Sequence, residues 1–153
     1  MKGILTVGLG IALAVAVPAG QAAAETTTFE FTEAVFNTCN DDLTVINGTE
    51  RITSTVTQLR GGGIKVDYRD KKFGTGSGLT AKRYTYRNVF TDTFTTTAVG
   101  GLVSTRTSQF ITLKKVGGPR SENMDVDATE SIVFDATTGE VVSVKREFEA
   151  ECE

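Results

Sequence analysis

Apolar and polar residues alternate along most of this chain. From Val126, the positions Val126, Ala128, Ile132 and Phe134 share one parity. After the turn Asp135 to Gly139 the alternation resumes at Val142, Val144, Phe148 and Ala150 and runs out into Cys152. A period of two is the signature of a strand with one covered face, so the C-terminal segment is predicted to be a β-hairpin. The same pattern recurs upstream. Phe29, Phe31, Glu33 and Val35 mark a first strand within 26–36. Leu43 and Val45 begin a second, punctuated by Asn47-Gly48 and continued by Ile52 and Val56. Beyond the turn Gly61-Gly62-Gly63, Ile64, Val66 and Tyr68 form a third, with Lys65, Asp67 and Arg69 on its other face. Residues 71–78 carry glycine at 74, 76 and 78, a strand with one bare face that something approaches closely.

Two long strands follow. Tyr84, Tyr86, Asn88, Phe90, Asp92 and Phe94 lie on one face of the first, and Val103, Thr105, Thr107, Gln109, Ile111 and Leu113 on one face of the second. Gly100-Gly101 and Gly117-Gly118-Pro119 supply the turns. The count is about eight antiparallel strands and no convincing helix, which is an all-β fold. Short glycine turns favour an up-and-down or flattened β-barrel, with a Greek-key β-sandwich as the alternative.

Met1-Lys2, the apolar run Ile4 to Val17, the break at Pro18 and the small residues Ala22-Ala23-Ala24 read as a secretory signal peptide over residues 1–24. Residues 25–153 then form a single secreted domain. The run is too short for a membrane span, so the protein is expected free in an extracytoplasmic space. Its two cysteines, Cys39 and Cys152, are expected to pair there, because export favours oxidation and the chain has no histidine to act as a thiol's partner. The bridge would tie the last strand to the end of the first.

Candidate chemistry sits on the apolar faces. In the terminal hairpin, a register that sets Phe134 against Val142 and Ile132 against Val144, with a bulge at Gly139, places Glu130 opposite Arg146. An ion pair facing a β interior is either an anchor for a ligand or a solvated pair at a rim. Glu33, Asn88, Asp92 and Gln109 fall on the same kind of face. With Glu130, Arg146 and the Tyr86 ring they are the candidate lining of a polar interior site. No histidine, no free thiol pair and no Gly-x-Ser-x-Gly elbow are present, so the common hydrolase and metal constellations are missing. A carboxylate pair such as Asp92 with Glu130 is the remaining catalytic arrangement. Asp41-Asp42 and Asp125/Asp127 fit no calcium loop. A non-enzymatic protein without metal or cofactor is expected.

Charge is divided along the chain. Arg60, Lys65, Arg69, Lys71, Lys72, Lys82, Arg83 and Arg87 face only Asp67 and Asp70 within residues 60–87, whereas residues 121–153 carry ten acids against Lys145 and Arg146. A closed sheet would therefore be electrically two-sided, with Phe73, Tyr84 and Tyr86 among the cations. The whole chain nets −3, which makes nucleic acid an unlikely partner.

The segment Val35-Phe-Asn-Thr-Cys-Asn-Asp-Asp-Leu-Thr-Val-Ile-Asn-Gly-Thr49, with the ending Phe148-Glu-Ala-Glu-Cys152, resembles small exported actinobacterial-type proteins that carry an Asn-x-Cys motif near the start and a cysteine at the end. That resemblance implies an extracellular β domain and no particular mechanism. A cysteine near each end of a barrel is also similar in layout to dirigent and allene-oxide-cyclase barrels, an analogy of architecture alone. Two functions are expected from these readings. The first is a small, partly apolar ligand taken into the interior. The second is an envelope component or other macromolecule bound through the outer surface.

Overall fold

The computed structural model describes residues 22–80, 82–96 and 101–153. Of the expected leader, residues 1–21 lie outside this range. The alternating segments form seven strands: β1 (Ala22–Asn37), β2 (Asp42–Gln58), β3 (Ile64–Gly78), β4 (Arg83–Thr96), β5 (Leu102–Lys115), β6 (Met124–Asp135) and β7 (Val141–Cys152). They build one antiparallel sheet in the order β1-β2-β3-β4-β5-β6-β7, and a single 3₁₀ turn at Arg120–Glu122 is the one helical element among the described residues. The strand order is up-and-down. No ladder joins β7 to β1 among the described residues, so the sheet is not closed by hydrogen bonds.

The count is seven rather than eight because Lys71 to Gly78 is the second half of β3. The β2–β3 register runs without a break from Thr44↔Gly78 to Gln58↔Ile64, and Asn47-Gly48 likewise leaves β2 uninterrupted. The terminal hairpin keeps the expected Glu130↔Arg146 and Ile132↔Val144 pairings. Its irregularity lies between Val133 and Phe134 instead of at Gly139, so Phe134 faces Val141 and not Val142. Gly139, with φ of 73°, serves the turn.

The sheet is strongly curled at one end. Six strand spacings of about 4.8 Å would hold β1 and β7 nearly 30 Å apart in a flat sheet. Yet the Cα atoms of Cys39, in the β1–β2 turn, and Cys152, at the end of β7, are 5.6 Å apart and joined by the disulfide. Around this seam the Asn37 side-chain amide donates to the Glu122 carbonyl at 2.8 Å, and the Glu153 amide reaches the Asn123 carbonyl at 3.3 Å. Curling covers one face, here called inner, and packs Ile46, Tyr84, Tyr86, Leu113 and Met124 into the core. The bare face of β3 makes this possible. A Cβ at Gly76 would lie 2.5 Å from both Ile46 Cδ1 and the Val45 carbonyl oxygen, so what approaches closely is the neighbouring strand itself.

Away from that end the layers thin out. Phe90, Phe94, Ile52, Ile132 and Phe134 face inward but stay half-exposed, and every residue of β7 is exposed.

Candidate functional site

All seven sequence-nominated interior residues lie on the inner face, but they do not form one cluster. Tyr86 belongs to the core. It is 4% exposed, its ring sits 6.3 Å from that of Phe31, and burial together with the nearby Glu33 carboxylate raises its phenol far above the ordinary value. Its place is set by β1, which folds Phe31 across it, so the ring is a packing element of the core. Asn88 is also buried and accepts a 3.4 Å bond from the Gln109 amide across the β4–β5 ladder. Asp92 accepts from the Thr107 hydroxyl at 3.4 Å on the same ladder.

Glu130 and Arg146 pair across β6 and β7, the Arg146 Nε donating to a Glu130 carboxylate oxygen. Because β7 is an uncovered edge, the Arg146 side chain is 73% exposed and that of Glu130 36%. The pair is therefore a solvated pair at the open rim. It lines a shallow depression of about 280 Å³ together with Thr107, Gln109, Ala128 and Phe148. Asp92 and Glu130 stand on strands separated by β5, with Thr107 between them in register.

A second polar group occupies the inner face of β1–β3. Lys72 donates to Glu33 at 2.9 Å and lies 5.4 Å from the centre of the Phe31 ring. Burial works against its charge, but the Glu33, Glu50 and Asp70 carboxylates outweigh that and raise its pKa. Asp70 is pushed up to about 6, first by burial and then by the adjacent Glu50. One oxygen each of Glu33 and Asp70 is buried without a hydrogen-bond partner. Three carboxylates thus share one ammonium, and the inner face as a whole is acid-rich. Lys72 was counted with the cations of the basic stretch 60–87. The signal that places it inside is parity: since β3 is continuous, Val66, Tyr68, Asp70 and Lys72 share a face with Gly74 and Gly76.

The closed end carries a polar latch. Asp42, 1% exposed, accepts from the Thr80 hydroxyl at 2.8 Å and the Tyr84 hydroxyl at 2.9 Å. Burial opposes its charge, yet these bonds hold its pKa below the ordinary value. Glu122 accepts from Lys115 at 2.8 Å, Lys82 at 3.1 Å and Asn40 at 3.2 Å, which brings its pKa to about 2. Lys82, also counted with those cations, is thereby spent on the latch. These contacts bind the β1–β2 turn, β2, β4, β5 and the 3₁₀ turn to one another. Among the described residues no group of three acidic, histidine or cysteine side chains is arranged to hold a metal.

No protein-family model, curated protein or solved structure matches this chain.

Proposed function

We propose that this protein is a non-catalytic binding module of the extracytoplasmic space, taking a small, partly apolar ligand against the inner face of its sheet. The observation that carries the reading is the half-exposed state of inward Phe90, Phe94, Ile52, Ile132 and Phe134. Apolar side chains aimed at the covered face of a sheet normally meet a second layer, and here none is present among the described residues. A ligand that covers about 200 Å² of this surface gains roughly 5 kcal/mol at 25 cal/mol per Å². The carboxylates Glu50, Asp70, Asp92 and Glu130 on the same face favour a ligand whose polar end is cationic or rich in donors. The disulfide suits an oxidising compartment.

The test is titration of the purified protein with the neutral fluorophore N-phenyl-1-naphthylamine. Saturable enhancement is expected, weakened about tenfold by Phe94→Ser with Ile132→Ser, a loss of roughly 1.4 kcal/mol. Both positions lie outside the closed-end core, so the variants keep their thermal transition. Absence of saturable enhancement, or enhancement untouched by the double variant, refutes the reading.

A further inference from the structure

The outer face poses a different question. On the inner face, at the latch and on the terminal hairpin, cations are matched to acids: Lys72 to Glu33, Lys82 and Lys115 to Glu122, Lys145 to Glu147 and Arg146 to Glu130. Over β2–β5 the outer face breaks this habit. Arg51, Arg69, Lys71, Arg87, Arg106 and Lys114 all point outward, and none has a carboxylate within 4 Å among the described residues. The one acid on the outer face of β3–β5, Asp67, is already held by Lys65 at 2.9 Å and by the Thr93 hydroxyl at 2.9 Å. Arg51 stands directly opposite Lys71 in the ladder, a like-charge pair that costs stability unless an anion lies between them.

Register fixes the layout. Arg51, Lys71, Val89 and Phe110 form one row across four strands, flanked by Phe73, Arg87 and Thr112 on one side and by Arg69, Thr91 and Ser108 on the other. Strand geometry spaces these positions by about 4.8 Å across the sheet and about 6.7 Å along it. Cations, hydroxyls and the apolar Val89, Phe73 and Phe110 are therefore interspersed on one continuous wall. Farther round the same face the sign reverses, with Asp125 and Asp127 on β6 and Glu147, Glu149 and Glu151 on β7.

We propose that the outer wall of β2–β5 binds a linear acidic polysaccharide. Guanidinium forks take its carboxylate, sulfate or phosphate groups in bidentate fashion, and the threonine and serine hydroxyls between them pair with sugar hydroxyls. The exposed rings of Phe73 and Phe110 offer apolar contact to sugar faces. They stand on β3 and β5 with Arg87 and Val89 of β4 between them, too far apart for a continuous stack of nucleic-acid bases, and the wall lacks the contiguous apolar surface that a membrane requires. The acidic β6–β7 sector repels a polyanion and directs it to the basic wall. This surface is separate from the inner face, so failure of either assignment leaves the other standing.

The experiment is affinity electrophoresis and calorimetry of the purified protein with polygalacturonate, with neutral dextran as the control. Binding is expected at about 50 mM salt, falling roughly ten- to thirtyfold by about 200 mM as three or so counterions are released. Lys71→Glu with Arg87→Glu abolishes it, and the charge-removing pair Arg69→Gln with Arg87→Gln weakens it about tenfold while leaving the melting transition in place. Lys145→Glu, on the acidic side, leaves it unchanged. The proposal is overturned by no interaction with polygalacturonate, by equal binding to dextran, by equal losses from Lys145→Glu and the wall variants, or by tighter binding to oligo-dT or to phosphatidylglycerol vesicles.

Discussion

Replacing Cys39 and Cys152 together by serine removes the one covalent link across the seam of the sheet. The bond spans 113 residues of sequence. In the chain-entropy model, closing a loop of that length withdraws about 16 cal/mol/K from the unfolded ensemble, close to 5 kcal/mol at room temperature. For roughly 130 ordered residues the unfolding entropy near the midpoint is about 0.27 kcal/mol/K, so the melting temperature should fall by about 15 to 20 °C. The effect should be large relative to the total, because the buried apolar core is small and gathered around the same end: Ile46, Tyr84, Tyr86, Leu113 and Met124 pack against Cys39 itself. Urea unfolding of the oxidised protein and the double serine variant, followed by circular dichroism, measures the difference directly. A loss below about 1 kcal/mol would refute the reasoning. The seam would then be held by the Asn37 and Asn40 bonds to Glu122 and by Glu153 on Asn123, and not by the bridge.

Gly76→Ala should cost about 1 to 3 kcal/mol, since its methyl group meets Ile46 and the β2 backbone; an unchanged urea midpoint would show that β2 and β3 can separate without penalty. Asp70 has a folded pKa raised from 3.8 to about 6, so its contribution to stability is present below the lower value and is lost as pH rises through the upper one. Asp70→Asn should therefore stabilise the protein at pH 7.5 and not at pH 3.5, as read from urea midpoints at the two pH values. Glu122 is shifted the other way, from 4.5 to about 2, so its contribution is present above pH 4.5 and fades as pH falls towards 2. Glu122→Gln should destabilise at pH 6 and the gap should narrow sharply by pH 2.5, closing only below about pH 2; a constant gap between pH 6 and pH 2.5 would contradict the assignment.

How much of this was legible in the sequence differs element by element. In the terminal hairpin the Glu130–Arg146 and Ile132–Val144 pairings were readable from alternation, but Phe134–Val142 was not, because the irregularity lies between Val133 and Phe134 and sets Phe134 against Val141. The Cys39–Cys152 bond followed from there being no other thiol. The continuity of β3 was hidden by Arg69-Asp70-Lys71-Lys72, four charges in succession whose parity shows only once the flanking Tyr68 and Gly74 are placed on one face. That gap in turn hid the inward turn of Lys72. The burial of Tyr86 was hidden for another reason: its alternation is correct, but its burial depends on Phe31 arriving from β1, a contact between residues 55 positions apart that no local pattern encodes. The Glu130–Arg146 pair was placed correctly in register. What alternation could not supply was that, among the described residues, β7 is an edge strand whose side chains are left exposed.

The open side of the sheet is guarded rather than merely unfinished. An edge strand presents unpaired amides and carbonyls to any other strand, and long, flat, apolar edges aggregate. β7 has an apolar inner parity in Val142, Val144, Phe148 and Ala150, yet Lys145, Arg146, Glu147, Glu149 and Glu151 place charges on both of its faces over seven residues. Two copies pairing through this edge would bury those charges against one another, with Arg146 already committed to Glu130. A small guest makes no such demand. It can lie on the inner face beside Phe148 without touching the charged outer parity, reaching the depression between β5 and β7 from the rim. The charges that exclude a strand thus leave room for a ligand. On the outer face, Asp125, Asp127, Glu147, Glu149 and Glu151 stand on β6–β7 and the unmatched cations on β2–β5, so a ligand proposed for either surface would be selected through what the sheet repels as well as through what it holds.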